Sequence, residues 1–157
     1  MSDEIPPEAV DPLPSQCYGK FVRVKRLGAG GMGEVWKAWD REIGRWVALK
    51  FLRGGDPEEI ARFKREAQVA GRLNHPNICG IFEAGEDRGE HFIAMQYVEG
   101  QTLKTYPRED GAMLVKLVRF ATRAVAYAHE QGVVHRDLKP ENVMVGSRGR
   151  WRARSCR

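Results

Sequence analysis

Long apolar runs are missing from this sequence: nothing in its 157 residues approaches the roughly 18 consecutive apolar side chains of a membrane span. A secretory leader is missing too, because residues 1–10 are acidic and proline-rich where such a leader opens basic and then turns apolar. Cysteine is scarce. Cys17, Cys79 and Cys156 are odd in number and far apart, which argues against a disulfide framework or a zinc site and makes a reducing, cytoplasmic setting the expectation. Acidic residues are absent from 148–157, which carry Arg148, Arg150, Arg152, Arg154 and Arg157. Those five arginines account for the whole formal charge of +5, since the remainder holds 21 basic and 21 acidic residues. The basicity belongs to a short tail, so no specific nucleic-acid partner is expected.

What is present is the composition of a soluble globular protein, 42% hydrophobic and 30% charged, at a length that suits about one domain. Residues 1–17 set Pro6, Pro7, Pro12 and Pro14 among acids and few apolar groups, and are expected to form a disordered leader. Short strands are predicted over 21–27, 34–39 and 46–52, divided by a glycine-rich turn and by a turn at Gly44. A helix follows with a readable start: Asp56 can cap it, Pro57 suits its first position, and Glu59 stands three residues after the cap. Ile60, Phe63, Ala67 and Ala70 then define one apolar face. Strands are predicted over 78–83 and 91–98 around a polar turn. A long helix is predicted over 111–131, with Leu114, Leu117, Val118, Ala121, Val125 and Ala128 as its buried stripe and Gly132 as its end. Strands first and helices later give an α+β arrangement of two layers or lobes.

Three stretches carry chemistry. Gly28, Gly30 and Gly33 lie in a loop whose glycines let backbone amides approach a phosphate. Glu34-Val35 follows, where a Walker loop needs Lys and Ser or Thr. The next segment is strand-like, where a dinucleotide fingerprint opens a helix. A glycine loop between two antiparallel strands remains. Next, Val47-Ala48-Leu49-Lys50 ends a strand with an ammonium that could reach phosphates, and Glu66 borders the buried face of the following helix as its acidic partner. Finally, the loop 135–142 (His-Arg-Asp-Leu-Lys-Pro-Glu-Asn) spaces an aspartate, a lysine two residues on and an asparagine five residues on. Phosphoryl transfer needs a hydroxyl acceptor, a phosphate cation and a metal ligand together, and these residues can supply them.

In this order the motifs resemble the eukaryotic-like protein kinases, bacterial serine/threonine kinases in particular, from about Tyr18 to Val145. The resemblance implies a protein-kinase-like α+β fold. An antiparallel-sheet N-lobe with one helix would span 18–98, a partial helical C-lobe 99–146, and an arginine-rich tail outside the family pattern 147–157. It implies ATP and Mg²⁺ as cofactors and a protein carrying Ser or Thr as substrate. Gly28, Gly30 and Gly33 would then cover the ATP phosphates, and Leu27, Val35 and Ala48 would roof the adenine. Lys50 would bind the α- and β-phosphates, fixed by Glu66. Met95 would be the gatekeeper, Gln96 to Val98 the hinge, and Met144 the pocket floor. Asp137 would accept the substrate hydroxyl proton, Lys139 would steady the transferring phosphate, Asn142 would hold Mg²⁺, and Arg136 would pair with a phosphorylated activation loop. The family continues with an apolar strand and Asp-Phe-Gly, whereas no Asp or Glu follows Glu141 here. The expectation is therefore a chain with little activity by itself. The alternative is a non-catalytic nucleotide-binding or interaction module.

Overall fold

The computed structural model describes residues 4–30 and 33–147, and the backbone of 151–153. The chain forms two units, Met1–Ala67 with Ile81–Tyr97, and Gln68–Gly80 with Val98–Arg157. The segment 68–80 thus groups with the second unit, although the sequence places it inside a continuous first lobe.

The first unit is built on six antiparallel strands: β1 (Cys17–Tyr18), β2 (Phe21–Gly30), β3 (Gly33–Asp40), β4 (Arg45–Phe51), β5 (Ile81–Asp87) and β6 (Glu90–Gln96), in the spatial order β1-β2-β3-β4-β6-β5. Short turns with specific chemistry join them. At the β3–β4 turn, Asp40 accepts the backbone N–H groups of Glu42 at 3.1 Å and Ile43 at 3.3 Å, and Gly44 takes φ 71°. At the β5–β6 turn, Arg88 (φ 52°) and Gly89 (φ 79°) are both left-handed, the pairing a two-residue hairpin needs to match strand twist.

Alternation then sorts the side chains. One sheet face gathers Tyr18, Phe21, Val47, Leu49, Phe51 and Phe92. The other carries Ala48, Ile93 and Met95, covered by Phe63 and Ala67 of helix α2 (Pro57–Ala70). Asp56 caps α2 as its sequence predicts, accepting from the N–H of Glu58 at 2.8 Å and of Glu59 at 3.4 Å.

Residues 4–16 differ from the disordered leader that their composition suggests. They form a short helix, α1 (Pro7–Val10), and a 3₁₀ turn (Pro14–Gln16), and Ala9 is buried against Val22 and Trp39. Arg23 donates to the Ser15 carbonyl at 3.0 Å, and Arg88 donates to the carbonyls of Pro14 and Cys17. Arg23 of β2 and Arg88 of the β5–β6 turn hold this segment through its backbone, a capacity that a count of its own apolar residues does not register.

In the second unit, β7 (Gly100–Thr102), β8 (Val143–Gly146) and β9 (Trp151–Ala153) form an antiparallel sheet in that order. Helix α3 (Gly111–Glu130) begins where Asp110 accepts the Met113 N–H at 2.8 Å and stops before Gly132 at φ 76°. Its buried stripe is Leu117, Ala121, Ala124 and Ala128, packed with Leu73, Ile78, Val143 and Val145. Val118, assigned to that stripe from sequence, is 54% exposed. Stepping four, three and four residues from Leu117 keeps one helical face, and Val118 sits about 100° away from it.

Candidate active site

In the first unit, the β2–β3 hairpin puts Gly28 opposite Val35 and Gly30 opposite Gly33. Gly33 is required by close approach. It has φ 134°, and a Cβ there would collide with the Phe51 carbonyl oxygen. Leu27 lies, half-buried, at a register shift between Arg26 and Gly28. Pairing continues across the sheet, with Val35 opposite Lys50 and Lys50 opposite Ile93, and with Lys37 opposite Ala48 and Ala48 opposite Met95. Val35, Ala48, Lys50 and Met95 therefore share the face that α2 partly covers. Met95 and Ala48 are buried there, while Gln96 and Val98 are half-buried at and just beyond the end of β6.

Lys50 is 8% exposed, and its ammonium lies 5.8 Å from the Phe63 ring centroid. Glu66 is half-buried one turn further along α2. Lys50 and Glu66 form no ion pair, which departs from the anchoring contact the sequence suggests. The aromatic face of Phe63 takes the cation instead.

In the second unit, the loop 135–142 folds around Asp137. Arg136 holds φ 60°, a left-handed conformation uncommon outside glycine, and the Asp137 N–H donates to the His135 carbonyl at 2.8 Å. The Asn142 amide donates to the Asp137 carbonyl at 2.7 Å and to its carboxylate at 3.2 Å, while the Lys139 ammonium stands 3.3 Å from the same carboxylate. A carboxylate, a primary amine and a carboxamide are thus drawn together from a spacing of two and five residues. Pro140 opens a 3₁₀ turn (Pro140–Asn142) that returns the chain toward Asp137. Met144 is buried on β8, opposite Thr102.

One neighbour escaped the sequence reading. Lys104 lies 2.9 Å from Glu141 and holds its carboxyl below the usual carboxylate range, chiefly through a direct hydrogen bond. No local signal links two residues that far apart in the chain. Among the described residues, no group of three His, Cys, Asp or Glu side chains could hold a metal ion.

A family profile described as Protein kinase domain matches residues 21–153. Residues 147–153, set outside the family pattern by sequence, fall within that span, and three of them form β9. The serine/threonine-protein kinase PrkC of Bacillus subtilis is 41% identical over 138 residues, covering 83% of this chain and 21% of that protein. The serine/threonine-protein kinase pkn3 of Myxococcus xanthus is 44% identical over 151 residues, covering 87% of this chain and 27% of that protein. Among solved structures, the kinase domain of Mycobacterium tuberculosis PknI matches with a TM-score of 0.74 at 34% identity, covering 91% of this chain and 62% of the other. This chain spans between a fifth and a third of the length of those two curated relatives. Across residues 21–153, this chain belongs to the protein kinase domain family, and its fold is protein-kinase-like.

Proposed function

We propose that this chain binds ATP with Mg²⁺ and carries residues for moving a γ-phosphate to a Ser or Thr hydroxyl of a protein. The grouping around Asp137 carries the reading. Its carboxylate stands 3.3 Å from a lysine ammonium and 3.2 Å from an asparagine amide, so a proton acceptor, a phosphate cation and an oxygen ligand occupy one loop. Asp137 would take the hydroxyl proton, and Lys139 would steady the phosphate in transit. The hard carbonyl oxygen of Asn142 suits Mg²⁺. That ion would neutralise charge developing on the phosphoryl oxygens.

In the first unit, Gly28, Gly30 and Gly33 would leave room for phosphates, with Lys50 as their cation. Val35, Ala48 and Met95, on the Lys50 face, would hold the adenine together with Leu27, and the backbone of Gln96–Val98 would bond its edge. Met144 would close the pocket floor, Glu66 would draw Lys50 into line once phosphates are bound, and Arg136 would receive a phosphorylated loop.

No acid follows Glu141 in these 157 residues, so Asn142 would carry the metal with little help. Loss of one preorganised charge-stabilising group costs about 3–4 kcal/mol, or two to three decades in rate. A polypeptide of these residues is expected to bind nucleotide yet transfer phosphate at least that much more slowly than a chain with the second ligand. The same absence favours one further reading, a nucleotide-binding module without turnover.

Calorimetric titration with ATP, with and without Mg²⁺, beside transfer of labelled γ-phosphate to a basic protein, tests both. Lys50→Met should weaken binding by about tenfold or more, the scale of one charge-assisted contact. Transfer that vanishes in Asp137→Ala supports the kinase reading, and binding without transfer supports the module. Undetectable nucleotide binding overturns both.

A further inference from the structure

The face of the first unit that carries Val35, Ala48 and Lys50 also carries a lysine to which the nucleotide reading gives no task. Lys37 stands two residues beyond Val35 on β3 and directly opposite Ala48 on β4, so strand alternation puts all three on one face. Its ammonium lies 3.9 Å from the centroid of the Trp46 ring and 4.8 Å from that of the Tyr97 ring. Both distances fall inside the roughly 6 Å over which an aromatic face attracts a cation. Among the described residues Lys37 has no carboxylate partner, so its charged end is placed by the two rings.

Tyr97 is where side-chain contacts take over from the sheet. The last pair of the β4–β6 ladder is Val47 with Gln96, so register no longer sets the chain at Tyr97. Its ring is half-buried and packs against the cluster of Ala48, Phe63, Ile93 and Met95. Trp46, also half-buried, stands next to Val47 on β4. The Lys37 side chain thus reaches from β3 over β4 to the first residue beyond β6. A single ammonium engages one ring from β4 and one from the segment past β6.

A chain segment freed from a ladder regains backbone freedom unless side chains hold it. A binding edge that is already ordered spares that cost when a ligand arrives. The faces of both rings are electron-rich, so a cation holds them where a carboxylate would be repelled and an apolar stem of the same length would only fill space. We propose that Lys37 is a positioning residue for the base of the nucleotide: by holding Trp46 and Tyr97 it fixes the backbone at Gln96 and Tyr97, the edge to which adenine would bond. This role rests on the adenine site proposed for the same face, and it makes no use of the phosphates.

Calorimetric titration of the 157-residue chain with adenosine and with ATP, beside NMR spectra of the ligand-free chain, tests the proposal. The two ligands share the base, so Lys37→Met should weaken both by one common factor, about two- to fivefold, the scale of one partly exposed cation–π contact. Lys37→Arg keeps a cation that stacks on aromatic faces and should return both ligands to the affinity of the unsubstituted chain. Without ligand, the backbone amide signals of Gln96 and Tyr97 should shift in Lys37→Met and move back in Lys37→Arg. The positioning role is overturned by adenosine and ATP affinities that Lys37→Met leaves unchanged, by a loss confined to ATP, or by a loss that Lys37→Arg does not reverse. Amide signals at Gln96 and Tyr97 that Lys37→Met does not move overturn it as well. An unsubstituted chain that binds neither ligand brings down the nucleotide reading itself, whereas binding that ignores Lys37 removes this residue's role alone.

Discussion

Gly33 is held in place by what stands opposite it. A methyl group there would meet the Phe51 carbonyl, and the backbone already lies at φ 134°. Gly33→Ala is expected to destabilise the chain by about 1–3 kcal/mol, measured by urea unfolding, with the strained loop shifting to relieve the clash. The sequence marks Gly33 only as a residue suited to phosphate approach. Its steric neighbour is 18 positions away, and only the β3–β4 register brings the two together. The 3.3 Å approach of Lys139 to Asp137 was legible from spacing because both lie in one tight loop. The missing Lys50–Glu66 contact was not, since the rotamer of a long cation depends on the ring that Phe63 places under it. Lys104 and Glu141 make a pH-dependent pair. The carboxyl is held below its usual range, so the contact contributes at neutral pH and is lost as acidification protonates Glu141. The stability gap between the wild type and Lys104→Met should accordingly close as pH falls through the carboxylate range, as read by acid-dependent urea unfolding.

Elements respond to which of their faces is packed. On α3, Leu117 is 1% exposed while its neighbour Val118 is 54% exposed. Leu117→Ala should cost about 2–5 kcal/mol and Val118→Ala no more than about 0.5 kcal/mol in thermal or urea unfolding, although sequence assigns both to one stripe. The helix itself was readable from its length, its Asp110 start and its Gly132 stop. Its rotation was not, because apolar residues cover more than one face and small alanines mark the buried one. The strands of the first unit were readable to within a few residues from their β-branched and aromatic runs. The β5–β6 pair starts and ends differently from expectation because its tight turn sits at Arg88-Gly89, and an arginine at φ 52° gives no warning in the sequence.

For the molecule as a whole, charge is unevenly distributed along the chain. Five arginines in residues 148–157 hold the entire excess over an otherwise balanced sequence. Any affinity for a polyanion should therefore depend strongly on salt and should disappear when those five become glutamine, while ATP binding is unchanged; filter binding to heparin across a salt series would measure it. Family membership over residues 21–153 was legible from motif order, since loop, lysine and catalytic stretch follow one another in a sequence that chance rarely assembles. The extent of the match toward Ala153 was not, because alternating arginines hide a strand whose partner is the hydrophobic β8.

Asn142 ends with two unlike atoms, and its nitrogen end is committed to Asp137 at 2.7 and 3.2 Å. Turning the amide over would set its oxygen against a carboxylate, so the carbonyl end keeps one fixed aim. An aspartate in the same seat would set two carboxylates about 3.2 Å apart, where like charges repel. A neutral amide at position 142 thus adds no second charge beside the Asp137 carboxylate.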